Sequence, residues 1–161
     1  MSITAKRLRE LLHYDPTTGV FTWAIRVSNC VKVSDIAGSM TGGRYWHIKL
    51  DGKKYQAHRL AWFHAYGEWP KGEVDHIDGD RLNNRIANLR DVPSTVNQHN
   101  LRRAFSNNKL GLLGVSQKGN RFLAEIQVSR KKIHVGYFAT AAEAHAAYVA
   151  AKRKHHEGCT L

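Results

Sequence analysis

The sequence predicts an α+β protein in two parts, and three observations point that way. Short, alternating, aromatic-rich runs separated by Gly, Asp-Gly and Pro turns recur through both halves. Two helical stretches interrupt them, HRLAWFHAYG near the middle and TAAEAHAAYVAAKR near the end. Between the halves, RRAFSNNKLGL is polar, basic and without period, as linkers are. The expected organisation is a helix-and-hairpin cap at 1–44, a core at 45–103, a linker at 104–112 and a sheet-plus-helix domain at 113–157.

Taken in order, residues 4–12 place Leu8, Leu11 and Leu12 on one helical face, and YDPTTGVFTW turns between two strand-like ends. Residues 35–44 are rich in Gly and Ser. YWHIKL and YQAHR then form a hairpin across an Asp-Gly turn. HRLAWFHAYG reads as a largely buried helix stopped by Gly67 and Pro70. Val74 to His76 suits a strand, Asp78 to Asn84 a polar loop and Asn88 to Val92 a second strand, with Ser94 capping a helix through Arg103. Beyond the linker, GVSQKGNRFLAEIQVSRKKIHVGYFAT supplies three strands. Thr140 to Glu143 has the spacing of a capping box, and Ala144, Ala147, Tyr148 and Ala151 repeat on one face of the helix that follows.

Charge narrows the partner. The chain carries a formal +12, with 14 Lys/Arg against 10 Asp/Glu in residues 1–100 and 11 against 3 in residues 101–161. A polyanion is the expected ligand, and nucleic acid is favoured over an acidic membrane. No apolar run is long enough to span a bilayer and no signal-peptide core is present, so a soluble protein of the cytoplasm is expected. Cys30 and Cys159 form no paired motif, so neither a disulfide framework nor a zinc knuckle is expected.

The chemistry concentrates in VDHIDGDRLNNRIANLRDVPSTVNQHN, residues 74–100. Hydrolysis of a phosphodiester needs a base for water, neutralisation of phosphate charge and an electrophile for the leaving oxygen. Asp75 offers a hard oxygen ligand suited to Mg²⁺, and His76, next along a strand, points to the opposite side. Asn97, in the first turn of the following helix, offers a second oxygen. A calcium-loop reading of DHIDGD fails, because a loop begun at Asp75 has Asp80 sixth and Ile86 twelfth where Gly and Glu are required. A zinc site fails for want of paired Cys or His at ligand spacing. Asn83 and Asn84 read as turn residues, and His58 as a satisfied helix-start histidine.

Together with AHRLAWFHAYGEWP upstream, this stretch resembles the HNH homing endonucleases, in the branch whose motif ends in Asn. The resemblance covers roughly residues 45–102 and implies a ββα-metal finger. By it, Asp75 and Asn97 are metal ligands, His76 is the general base, and Asn88 ties down the loop and orients the histidine. One divalent metal is implied, Mg²⁺ foremost with Mn²⁺ as substitute, and no zinc.

The segment GVSQKGNRFLAEIQVSRKKIHVGYFATAAEAHAAYVAAKR is similar to the DNA-binding domain of plant ethylene-response (APETALA-type) factors. That likeness implies a sheet laid on DNA, with Gln117, Lys118, Arg121, Arg130, Lys131 and Lys132 as contacts. The family's usual first arginine is missing, since Ser116 follows Val115. Arg59, Arg102 and Arg103 are further candidates for phosphates. The expectation is a metal-dependent endonuclease of phage or mobile-element origin, nicking or cutting double-stranded DNA as a monomer or weak homodimer. Its rivals are a DNA-binding regulator whose HNH finger is inactive and a protein directed at RNA.

Overall fold

A computed structural model describes residues 3–94, 96, 104, 108–128, 131–156 and 159. The chain divides into two compact units, residues 1–93 and 94–161.

The first unit begins with α1 (Ala5–Leu11), capped by Thr4, whose hydroxyl accepts from the Arg7 N–H at 3.2 Å. The helix buries Leu8 and Leu11, but Leu12 already belongs to strand β1 (Leu12–Asp15). It pairs with Trp23 of β2 (Val20–Trp23), so hairpin pairing ends the helix one residue earlier than its apolar face. A three-stranded antiparallel sheet follows, in the order β3 (Ser39–Thr41), β4 (Tyr45–Leu50), β5 (Lys53–Gln56). Strand β3 is exposed at all three residues, and its Gly/Ser-rich surroundings carry no alternation to read. The β4–β5 turn places Asp51 and Gly52 at φ +46° and +79°, both in the left-handed region that favours Asp-Gly in two-residue hairpins.

Helix α2 (Ala57–Tyr66) ends at Gly67, which sits at φ +77° and returns its N–H to the Phe63 carbonyl at 2.9 Å. Strands β6 (Glu73–His76) and β7 (Leu89–Val92) then pair antiparallel, joined by a loop that ends in a 3₁₀ turn at Ile86–Asn88. Leu8, Leu12, Ile48, Leu50 and Leu60 are fully buried in the common core, and Val74 and Leu89 root the β6–β7 pair in it. Burying each large side chain stabilises the unit by roughly 2 kcal/mol.

In the second unit, β8 (Val115–Lys118), β9 (Arg121–Val128) and β10 (Lys131–Phe138) form an antiparallel meander with β9 in the middle. Helix α3 (Ala141–His155) starts at a complete capping box: the Thr140 hydroxyl accepts from the Glu143 N–H, and the Glu143 carboxylate accepts from the Thr140 N–H, both at 3.2 Å. Ala144 and Tyr148 pack with Val115, Ala124 and Ile126. Gly114, at φ +68°, lies against the Tyr148 ring, where any Cβ would fall among the ring carbons. Among the described residues, no helix is long and apolar enough to cross a membrane.

Candidate functional site

Strand β6 carries Val74, Asp75 and His76, all three buried, and β7 sets Arg90 directly across from Asp75 and Leu89 across from His76. The register makes an ion pair. Arg90 donates from Nε at 2.9 Å and from Nη2 at 2.7 Å, both to Asp75 Oδ2. The Asp75 side chain is 8 % exposed and that of Arg90 26 %. Burying a carboxylate without such an ion pair is costly.

His76 is 4 % exposed, and its Nε2 lies 3.1 Å from Oδ1 of Asn84. Behind it, His58 of α2 stands edge-on with ring centroids 5.1 Å apart, and Tyr45 of β4 lies 5.2 Å from His58 on another side. Burial first, then the neighbouring His76, Arg59 and His47, pushes the His58 imidazole down to about 3, so it is neutral around pH 7. The Arg81 guanidinium, from the loop, covers the Tyr45 ring at 5.2 Å.

Asp78 organises the loop between β6 and β7. Its Oδ1 accepts from the Asp80 N–H at 2.8 Å and from Asn88 Nδ2 at 2.9 Å, and its Oδ2 accepts from Asn83 Nδ2 at 2.6 Å. Asn88 also accepts from the Asp78 N–H at 3.0 Å and donates to the Asn83 carbonyl at 2.9 Å. Partial burial by itself would raise the Asp78 carboxyl, but the bonds from Asn83, Asn88 and the Asp80 backbone outweigh it and hold the group below its ordinary value.

Several expected residues meet here and others divide differently. Asp75 and His76 are adjacent and buried as the strand requires, and Asn88 ties the loop. Among the described residues, Asn84 makes a bond to the His76 ring, while the side-chain bonds of Asn88 go to Asp78 and Asn83. Asn83 is a turn residue, but Asn84 is 4 % exposed and belongs to the site, as does His58. Among the described residues, no group of three or more His, Cys, Asp or Glu is gathered as a metal cluster. Asn97, Arg102, Arg103 and Arg130 lie outside the described residues. Arg59 borders an open cavity of about 330 Å³ with His47, Lys54, Tyr55, Gln56 and Trp69.

On the second unit, Ala124 and Ile126 face the helix, so strand alternation puts Arg121, Glu125 and Gln127 on the other face. Lys118 and Lys132 join that face through their partners Arg121 and Gln127. Gln117 and Lys131 are exposed but pair with Phe122 and Val128, whose side of the sheet packs toward the core. The expected DNA contacts thus do not share one face.

Residues 55–99 match the family model described as HNH endonuclease, which takes in α2, β6, the loop and β7. That segment is rather less than half of the chain, and it points to a nuclease and to DNA as its substrate. Comparison with curated proteins and with solved structures finds no significant match.

Proposed function

We propose that the chain is a metal-dependent DNA endonuclease of the HNH homing type, of phage or mobile-element origin, with a C-terminal unit that holds duplex DNA. The observation that carries this is the buried Asp75–His76 pair on β6, set within the segment that matches the HNH endonuclease model.

Asp75 presents a buried carboxylate held in one orientation by Arg90, which suits a hard divalent cation, and Asn97, outside the described residues, is the second oxygen ligand this reading assigns. Asp75 and Asn97 would hold a divalent ion, Mg²⁺ by preference, which would supply charge neutralisation at the phosphate and the leaving oxygen. His76 takes a proton from water. The hydroxide oxygen forms the new bond to phosphorus, and the bond from phosphorus to the 3′ oxygen breaks as that oxygen gains a proton from solvent. Asn88 keeps the loop closed through Asp78, and His58, neutral and packed on the base, adds no competing positive charge beside it. Arg59, Lys118, Arg121 and Lys132 are assigned to phosphates, and they support affinity more than choice of sequence.

A DNA-binding regulator with an inactive finger is the rival. The observation on its side is that Asp75 is already engaged by Arg90. Incubation of supercoiled plasmid with the protein in Mg²⁺ and in EDTA, with the His76→Ala protein alongside, separates the two. The nuclease yields open circles in Mg²⁺ alone, and His76→Ala lowers the rate by at least about 100-fold. Duplex binding without cleavage in Mg²⁺ or Mn²⁺, on plasmid and phage DNA alike, leaves the regulator.

A further inference from the structure

The cavity of about 330 Å³ beside Arg59 is walled by Lys54, Tyr55, Gln56, Trp69 and His47. Its volume lies at the lower end of the roughly 300–1,000 Å³ range of small-molecule sites, room for one nucleotide and too little for a duplex. The aromatic wall is built in advance. Trp69 stacks on the buried Phe63 with ring centroids 4.2 Å apart and planes within 9°, and Tyr55 continues the tier at 5.9 Å and 17°. Both Tyr55 and Trp69 pack on the core yet stay half-buried, so the tier is held rigid where it borders the cavity.

The polar wall is unsatisfied. Among the described residues, the Lys54 ammonium, the Gln56 amide, the Arg59 guanidinium and the Trp69 indole N–H make no side-chain hydrogen bond or ion pair. Comparable groups elsewhere in the unit are tied: Arg90 is bound to Asp75, and the Trp46 indole N–H donates to the Ala37 carbonyl at 2.8 Å. Two cations, an amide that both donates and accepts, and parallel rings together complement a nucleotide, with its phosphate, its polar base edge and its π-face. In a duplex the π-faces are stacked and the pairing edge is covered, so a base meets these groups only when it leaves the stack. The cavity also adjoins the candidate cleavage site, because Arg59 follows His58, whose ring stands 5.1 Å from that of His76.

We propose that this cavity seats one nucleotide of the DNA outside the base stack, its base on Tyr55 and Trp69, its pairing edge on Gln56 and its phosphate on Lys54 and Arg59. This rests on the reading of the chain as a DNA endonuclease, and it adds a substrate class: DNA with an unpaired nucleotide next to the cleaved bond.

The full, metal-free chain is titrated with thymidine 3′,5′-bisphosphate and, separately, with inorganic phosphate, and the indole N–H signals are followed in ¹H–¹⁵N correlation spectra. Of the four tryptophans, Trp69, assigned from the signal missing in Trp69→Phe, is expected to shift with the bisphosphate and to stay in place with phosphate. Fluorescence anisotropy without metal then compares a perfect duplex with the same duplex carrying one unpaired thymidine. The native protein should bind the second at least about 10-fold more tightly, since its extra base has no pair to break. Trp69→Phe, which keeps a ring, retains that preference, whereas Trp69→Ala brings the two affinities within about 3-fold of each other. An indole signal that shifts with neither ligand, or equally with both, overturns the proposal, as do equal native affinities or a preference that survives Trp69→Ala. Where Trp69→Ala does not fold, the indole signal and the native comparison decide. A native protein that meets these expectations while leaving plasmid uncut in Mg²⁺ and Mn²⁺ overturns the nuclease reading alone, because neither readout uses cleavage.

Discussion

The two units treat polar side chains in opposite ways. In the first, Asp75, His76, His58 and Asn84 are all buried and are tied to one another or to Arg90. In the second, Lys118, Arg121, Gln127 and Lys132 are exposed, over a core of Val115, Ala124, Ile126, Ala144 and Tyr148, with Lys152 the buried exception. Chemistry needs groups held to fractions of an ångström, which burial and mutual bonds provide. Holding a polyanion needs only charge at the surface, where long side chains reach phosphates from many backbones. The contrast teaches where a substitution should cost stability and where it should cost only affinity.

The largest difference is expected at Arg90. Arg90→Ala removes the ion pair from the buried Asp75 carboxylate and should lower the unfolding free energy by about 3 kcal/mol in urea titrations without metal. A loss below about 1 kcal/mol would mean that water or another group compensates Asp75, and the first unit would then be less exacting than its burial implies.

Acid should come next. His58 is held near 3 in the folded protein against an ordinary value of 6.5, so the unfolded chain binds the extra proton between those values. Its contribution to stability is complete above pH 6.5 and is lost as pH falls toward 3. Between pH 7 and pH 5 the first unit should lose about 2 kcal/mol on this account, and His58→Phe should remove that slope. His64, also lowered by burial, adds to the loss with the same sign and remains in the variant. Denaturant midpoints for both proteins at the two pH values decide it; parallel curves would show that His58 does not titrate on unfolding.

A smaller effect is expected at the start of α3. Thr140→Ala removes one half of the capping box and should cost about 1 kcal/mol, seen as a lower melting temperature of the second unit. The smallest change in stability, within about 0.5 kcal/mol, is expected for Lys132→Ala on the outer sheet face. Its readout lies elsewhere: if Lys132 meets a phosphate, the slope of log affinity against log salt should fall by about 1 for every duplex tested. An unchanged slope would remove Lys132 from the DNA face and leave it a solubilising charge.

Much of the local structure was legible beforehand because its causes are local. The Asp-Gly hairpin, the Gly67 stop, the strand of Val74 to His76 and the capping box at Thr140 each depend on a few neighbouring residues with fixed conformational preferences. Strand β3 was not legible, since three exposed residues carry no pattern. The end of α1 is not legible in the sequence, because Leu12 satisfies a helical face and a strand equally, and only pairing with Trp23 decides between them.

The sequence by itself determined the α+β class, the excess of basic charge and the placement of Asp75 next to His76 on one strand. It did not determine what those two side chains touch. Arg90 meets Asp75 only once the β6–β7 register is set, His58 reaches His76 only when α2 packs behind β6, and Asn84 is fixed by Tyr14 from the far end of the unit. Such contacts join residues separated by 15, 18 and 70 positions, across which neither helical nor strand periodicity carries information. Only the burial of a shared core, which forces these segments together at once, settles which polar groups must satisfy one another.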